Sequence, residues 1–197
     1  MLTPQMPKVE LGRPATYADL IAVADILVAE IVDGELWTSP RPALRHSLAH
    51  SRLMRELAPP FDGGRGGPGG WRLLFEPELH LGGHVVVPDL AGWRRERMPT
   101  VPDSAHATLA PDWVCEVMSP STETLDRVRK LPVYAAHGVV HVWLVSPIVR
   151  TLEVLRLEHG RWSVVDTHAG NVTVRVEPFE AIALELTALW EEGTQGA

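Results

Sequence analysis

Apolar positions recur along the chain at two different spacings, and the changes of spacing mark the elements. "TYADLIAVAD" reads as a short helix, with Thr16 as N-cap and Asp19 three residues later to close the cap. "AEIVDGELWTS" reads as a hairpin, because Asp33-Gly34 supplies a turn between two apolar runs. In "PALRHSLAHSRLMRELA", Leu44, Leu48, Leu53, Met54 and Leu57 fall at roughly helical spacing and predict an amphipathic helix. A glycine-rich loop, "FDGGRGGPGGW", follows. "WRLLFEPELHLGGHVVVPDLAGW" then predicts two or three strands, with Gly82-Gly83 as a tight turn. After a loop rich in proline, residues 112–118 are apolar at almost every position, the mark of a strand buried on both faces.

A helical segment follows, then a second buried strand in "VVHVWLVSP". "RTLEVLRLEHGRWSVVDT" alternates and predicts a hairpin turning at His159-Gly160. "NVTVRV" and "AIALEL" are expected to close the sheet, with a last helical turn near Leu189. Three prolines (4, 7 and 14) make residues 1–14 an expected arm without regular structure. Residues 15–190 are expected to form one domain and residues 191–197 a tail. The order of elements predicts a mixed α/β (α+β) class built around one sheet.

Composition narrows the class. A chain of 197 residues suits one well-packed domain and is short for two. No apolar run approaches the roughly 18 residues of a spanning helix, so no membrane association is expected. The first residues lack the basic patch and apolar core of a signal peptide. The single cysteine, Cys115, has no internal partner, which fits a cytoplasmic location. The formal net charge of −7 argues against a protein that coats nucleic acid. Yet Arg41 to Arg97 carries nine arginines against six carboxylates, a local excess that leaves room for a basic face. Of the 18 basic residues only Lys8 and Lys130 are lysine, which matters where a compact point charge is needed.

Two acids sit where acids are expensive. Asp89 follows "VVVP", and Glu116 lies between "DWVC" and "VM", so each carboxylate is embedded in an apolar strand. Burying an ionised carboxylate without a partner costs several kcal/mol. If the strands are neighbours, the two groups converge, and then one takes a proton or a cation lies between them. Mg²⁺ suits such oxygen-only sites. Acids bonded to backbone amides or paired with arginine are the equally open alternative. Lys130 lies beyond the strand on a helix that Ser121 or Thr122 can cap, and Pro132 should make that helix restart or bend near Lys130.

Other candidates are weaker. The glycine loop lacks the Gly-Lys-Ser/Thr ending of a phosphate loop. His46 and His50 have the spacing of two zinc ligands on a helix, but "SLA" between them lacks a zincin's glutamate and no third ligand is evident. Ser119 and Ser121 look like turn and cap residues. Trp71, Trp93, Trp113 and Trp143 are expected in the core.

"VPDLAGW", "PDWVCEVMSPST", "DRVRKLPVYAAHGV" and "VWLVSP" together resemble the Uma-two family, restriction-endonuclease-like proteins of the PD-(D/E)XK nuclease superfamily. The resemblance runs from about Thr16 to Leu157 and includes "EIVDGEL", "SPRP" and His46. It implies a central mixed sheet flanked by helices, with extra hairpins and a metal site at the sheet's edge. It makes Pro88-Asp89 the superfamily's proline-aspartate and Glu116 its second acid. Met118 stands where the superfamily's lysine belongs, and Lys130 takes over that role from the following helix. Glu30 matches an N-terminal acid that joins the site, with His46 as a supporting residue. Ser146 departs from the family's usual aspartate, outside the acids and the lysine.

The implied activity is endonucleolytic hydrolysis of phosphodiester bonds in nucleic acid, with DNA as the expected substrate. Asp89, Glu116 and Glu30 would hold Mg²⁺ or Mn²⁺, which activates water and offsets phosphate charge. Lys130 would orient or help deprotonate that water. A homodimer is expected. The rival readings are a catalytically silent binding or regulatory module, and a structural dimer whose central acids are merely hydrogen-bonded.

Overall fold

The structure, a computed structural model, describes residues 7–190. The first six residues of the expected arm and the expected tail at 191–197 lie outside the described residues. Within the arm, β1 (Lys8–Val9) is an edge strand rather than loose chain, and Lys8 Nζ lies 2.9 Å from Glu35. α1 (Tyr17–Ile21) carries the capping box its sequence announces: Thr16 and Asp19 bond each other's backbone amides. β2 (Leu27–Val32) and β3 (Glu35–Pro40) form the expected hairpin. Asp33 and Gly34 both adopt positive φ, 53° and 74°, as a two-residue turn of this hand requires.

α2 (Leu44–Leu57) is the helix of the 44–57 pattern, but it is rotated from the face expected of it. Leu44 is 89% exposed, while His46, Ala49, His50, Leu53 and Leu57 are buried. The spacing of those five is itself helical, so the two histidines belong to the inward stripe.

The tryptophan-to-tryptophan stretch yields four strands: β4 (Trp71–Phe75), β5 (Glu78–Leu81), β6 (His84–Val86) and β7 (Leu90–Arg94). β8 (His106–Ala107) and β9 (Trp113–Val117) follow. α3 (Glu123–Leu125) runs into a π-helical turn (Asp126–Lys130) and then α4 (Leu131–Ala136). The Leu131 amide bonds the Asp126 carbonyl five residues back. Pro132 has no N–H to continue an ordinary ladder, and the helix restarts with that proline in its first turn. β10 (His141–Ser146), β11 (Thr151–Glu158) and β12 (Arg161–Ala169) complete the main strands.

The strands divide into two mixed six-stranded sheets, ordered β1-β3-β2-β6-β5-β8 and β12-β11-β10-β9-β7-β4. The N-terminal hairpin thus founds a sheet of its own instead of joining the second. β13 (Thr173–Val174) and β14 (Leu184–Glu185) do not close either sheet; they pair with each other. That short ribbon folds Phe179, Leu186 and Trp190 over one face of the second sheet, where they join Trp71, Trp113 and Trp143.

β9 shows how the site is aimed. Trp113, Cys115 and Val117 point into the core shared with α2, whereas Val114 and Met118 point into the core shared with α4. Side chains alternate across a strand, so Glu116 falls on the α4 side. The four tryptophans 71, 93, 113 and 143 are all at most 1% exposed. Gly92 is obligatory between them: a Cβ there would lie 2.9 Å from Leu73 and 3.2 Å from both Trp71 and Trp113. No helix among the described residues is long and apolar enough to cross a membrane.

Candidate active site

Val87-Pro88-Asp89 carries the chain from the first sheet to the second, and the site forms at this crossing. β7 and β9 are antiparallel neighbours whose last pair is Leu90 with Cys115. One residue further on, Asp89 stands opposite Glu116. The backbone ladder stops there, and Asp89 replaces it with its side chain: the Val117 amide donates to Asp89 Oδ2 at 2.7 Å. On the first sheet Glu30, in β2, accepts the Val87 amide on Oε1 at 2.8 Å. Both acids therefore fasten the crossing segment to the sheets on either side.

Glu116 is not paired with Asp89 across a shared proton. Its Oε1 accepts the Tyr134 hydroxyl at 2.6 Å and lies 2.9 Å from Lys130 Nζ. The same ammonium lies 3.0 Å from Glu30 and 3.3 Å from Asp126. Lys130 reaches this point because the π-helical turn sets it inward, at 2% exposure, with Asp126 one turn before it. Pro132, expected from the sequence to make the helix restart or bend near Lys130, accompanies the wider turn that places the lysine.

Three carboxylates around one ammonium leave the group two negative charges in excess, in a place that water barely reaches. Burial pushes the Glu116 carboxyl well above its usual range, against the pull of Lys130, and its acidic neighbours add to the shift. Burial likewise raises Asp126 to about 6. Burial alone would lower the Lys130 ammonium, but Glu116 and Glu30 outweigh it and hold it well above the ordinary lysine value. The lysine is thus held charged, while burial favours the protonated form of Glu116 and Asp126.

On the other side Asp89 meets α2. His46 Nε2 lies 3.3 Å and His50 Nδ1 3.9 Å from Asp89 Oδ1. Burial would lower the His46 pKa, but Asp89 reverses the sign and raises it. For His50 burial prevails and the ring is held below its ordinary value. His46, His50 and Asp89 each bring one ligand atom within 4.8 Å of the others. A second such group, Glu78, His80 and His106, does not line the cleft, and its Glu78 already accepts the Tyr17 hydroxyl at 2.9 Å.

A cleft of about 330 Å³ joins the two sides, with Glu30, Arg41, His46, Asp89, Glu116 and Lys130 on its walls. A model of the Uma2 family, described as "putative restriction endonuclease", matches residues 14–188. The chain belongs to the Uma2 family. The fold also matches the crystal structure of a protein from Anabaena variabilis described as "a putative nuclease belonging to DUF820". That match has a TM-score of 0.71 and 22% identity, and covers 89% of this chain and 97% of the other. Comparison with curated proteins finds no match.

As a Uma2 protein the chain brings all five expected residues to one cleft, divided into two groups. Glu30, Glu116 and Lys130 stand together; Asp89 and His46 stand together beside them. The residues present fit a divalent cation: carboxylates and imidazoles converge, with one ligand atom each of His46, His50 and Asp89 lying within 4.8 Å of the others. Sequence reasoning missed Asp126 and Tyr134, which carried one available signal, since Asp126, Lys130 and Tyr134 follow one another four apart on a helix. It also left His46 and His50 without a third candidate ligand, and the fold brings Asp89 beside them. Within the basic segment, Arg72 and Arg95 reach Asp62, Arg97 pairs Asp112, and Arg94 lies 4.0 Å over Trp71.

Proposed function

We propose that this Uma2 protein is a metal-dependent endonuclease acting on nucleic acid, with DNA as substrate, working as a cytoplasmic homodimer. The observation that carries this reading is the convergence of Asp89, Glu116 and Lys130 on one cleft from β7, β9 and the π-helical turn. Asp89, Glu116 and Glu30 would hold Mg²⁺ or Mn²⁺, which would supply an activated water and offset charge developing on the phosphate.

This chain's own groups do the positioning. Lys130 stays an ammonium among its acids, so its role is fixed positive charge at the phosphate and not proton abstraction. Tyr134 holds Glu116 in place. Glu30 keeps Val87 and hence Asp89 in register. The edge strand β12, with Val164 60% exposed, supports dimer formation.

The test is cleavage of mixed DNA and RNA substrates with Mg²⁺ or Mn²⁺, parent beside Asp89→Asn. Cation-dependent cleavage by the parent, lost in the variant, is expected. No cleavage by a folded parent on any substrate would favour the silent binding module, which the acidic net charge also fits.

A further inference from the structure

We infer that Glu78, His80 and His106 form a second metal site, at the far edge of the first sheet, which takes a first-row transition-metal ion such as Zn²⁺ as a clasp between β5 and β8. It shares no residue with the cleft and stands whether or not the cleft cleaves nucleic acid.

Strand geometry brings the three side chains together. Leu79 and Leu81 enter the core shared with α4, so Glu78 and His80 leave β5 on the opposite face. β8 runs parallel to β5, with His106 beside Glu78 and Ala107 beside Leu79. Ala107 enters the same core as Leu79, which puts His106 on the face of Glu78 and His80. In β2 of that sheet, Glu30 shares a face with Val32, another residue of this core. The cleft and the trio therefore lie on opposite faces of one sheet.

One atom from each of the three side chains lies within 4.8 Å of the others. An ion about 2.1 Å from each ligand spans at most about 4.2 Å between them, so the set has about 0.6 Å to close. His80 Nε2 lies 2.7 Å from Glu78 Oε1, a separation now bridged by a proton that a metal ion can displace. The Tyr17 hydroxyl donates to the same Oε1 at 2.9 Å, which leaves Oε2 without a partner among the described residues. A bond of that kind orients a ligating carboxylate. The His106 ring is stacked on His80 at 3.8 Å, and parallel rings aim their lone pairs side by side, so one ring must tilt. His106 is free to do so: its ring makes no hydrogen bond among the described residues and gives up only ring contacts.

The donor set decides the class of ion. Two imidazoles and a carboxylate suit Zn²⁺, Cu²⁺ or Ni²⁺, whereas Mg²⁺ prefers oxygen ligands and keeps much of its water. Glu78 and His106 also line a cavity of about 160 Å³ with Pro77, Val101 and Pro102, which gives an ion its path from solvent. The clasp has something to fasten, because β8 is two residues long and meets β5 through two residue pairs.

The experiment is calorimetric titration of the full, metal-stripped chain with Zn²⁺, parent beside His106→Gln and Asp89→Asn. His106→Gln should abolish one Zn²⁺-binding step or weaken it about 10²-fold, and Asp89→Asn should keep that step. Superimposable isotherms for parent and His106→Gln would overturn the site, and so would loss of the same step in Asp89→Asn, which would return the ion to the cleft. Should His106→Gln fail to fold, carbethoxylation of the parent by diethyl pyrocarbonate decides, read peptide by peptide in a mass spectrometer. Saturating Zn²⁺ should shield His80 and His106 while the exposed His159 stays reactive. Equal modification of His80 and His106 with and without Zn²⁺ would overturn the site.

Discussion

On one side of the cleft Lys130 meets three carboxylates within 3.3 Å; on the other, Asp89 meets two imidazoles, each with a ring nitrogen left over. The first group contains its own cation. It is a closed ionic knot whose stability depends on a residue of the chain. The second contains an acid and two neutral-or-cationic rings, and its balance depends on a proton or an ion from outside. Similar residue types, a few ångströms apart, thus serve different ends, and substitutions on the two sides should behave differently.

The largest difference should come from Lys130→Met. It leaves Glu30, Glu116 and Asp126 buried without a countercharge, a loss on the order of 3–5 kcal/mol when one partner of a buried ion group is removed. Asp89→Asn keeps an oxygen for the Val117 amide and should cost only about 1 kcal/mol. Denaturant midpoints of both variants in chelator check this, and equal losses would erase the distinction between the sides.

Lys130→Arg is next. On a surface this exchange would be nearly silent, but Lys130 is 2% exposed and a guanidinium is larger and planar. Overpacking should cost about 1–3 kcal/mol. Cleavage, measured on the folded variant beside the parent, should fall by about 10²-fold, the scale of a misplaced catalytic group.

Asp126→Asn sharpens the comparison by pH. Asp126 is raised to about 6 in the folded chain from an ordinary value of 3.8. A carboxyl raised on folding favours the native state at low pH, and that contribution is lost as pH climbs through the window between the two values. Parent and variant should therefore melt alike below about pH 4, and above pH 6 the variant should be more stable, by at most about 3 kcal/mol. Thermal melts across pH 4–8 test this; a variant less stable at pH 8 would mean that Lys130 needs all three acids.

The contrast between the two sides also explains what the sequence could reveal. Asp89, Glu116 and Lys130 stood out because each is a charge in apolar or arginine-rich surroundings, and local context suffices to flag that. The strands of β7 and β9 were legible from apolar runs, and the hairpin from Asp33-Gly34. Which partner each charge takes was not legible, because it depends on the π-helical turn that swings Lys130 inward and on the crossing at Val87. The inward face of α2 was misread for a related reason. Counting leucines favours a stripe through Leu44, whereas the packed stripe includes two histidines, whose place in a core depends on a distant residue, Asp89. The split into two sheets turns on pairing between β2 and β6, a long-range pairing of Ile31 with Val85. No local period encodes it.

The smallest expected effect concerns the rims of the two sides. Arg41 lies on the cleft wall and its guanidinium donates to the Asp25 carbonyl, a neutral acceptor, so its charge is still available to a phosphate. Arg127, on the lysine side, is committed to Glu153 and Glu123. Every phosphate that a basic side chain neutralises adds about 1 to the slope of log affinity against log salt. Arg41→Gln should therefore flatten that slope by about one unit, and Arg127→Gln should leave it unchanged. Fluorescence anisotropy of a labelled duplex at several salt concentrations makes the measurement, with Asp89→Asn as the background so that no substrate is cut. A change at Arg127 and none at Arg41 would place the nucleic acid over the lysine side of the cleft, and would reverse the assignment of which side is open to a ligand.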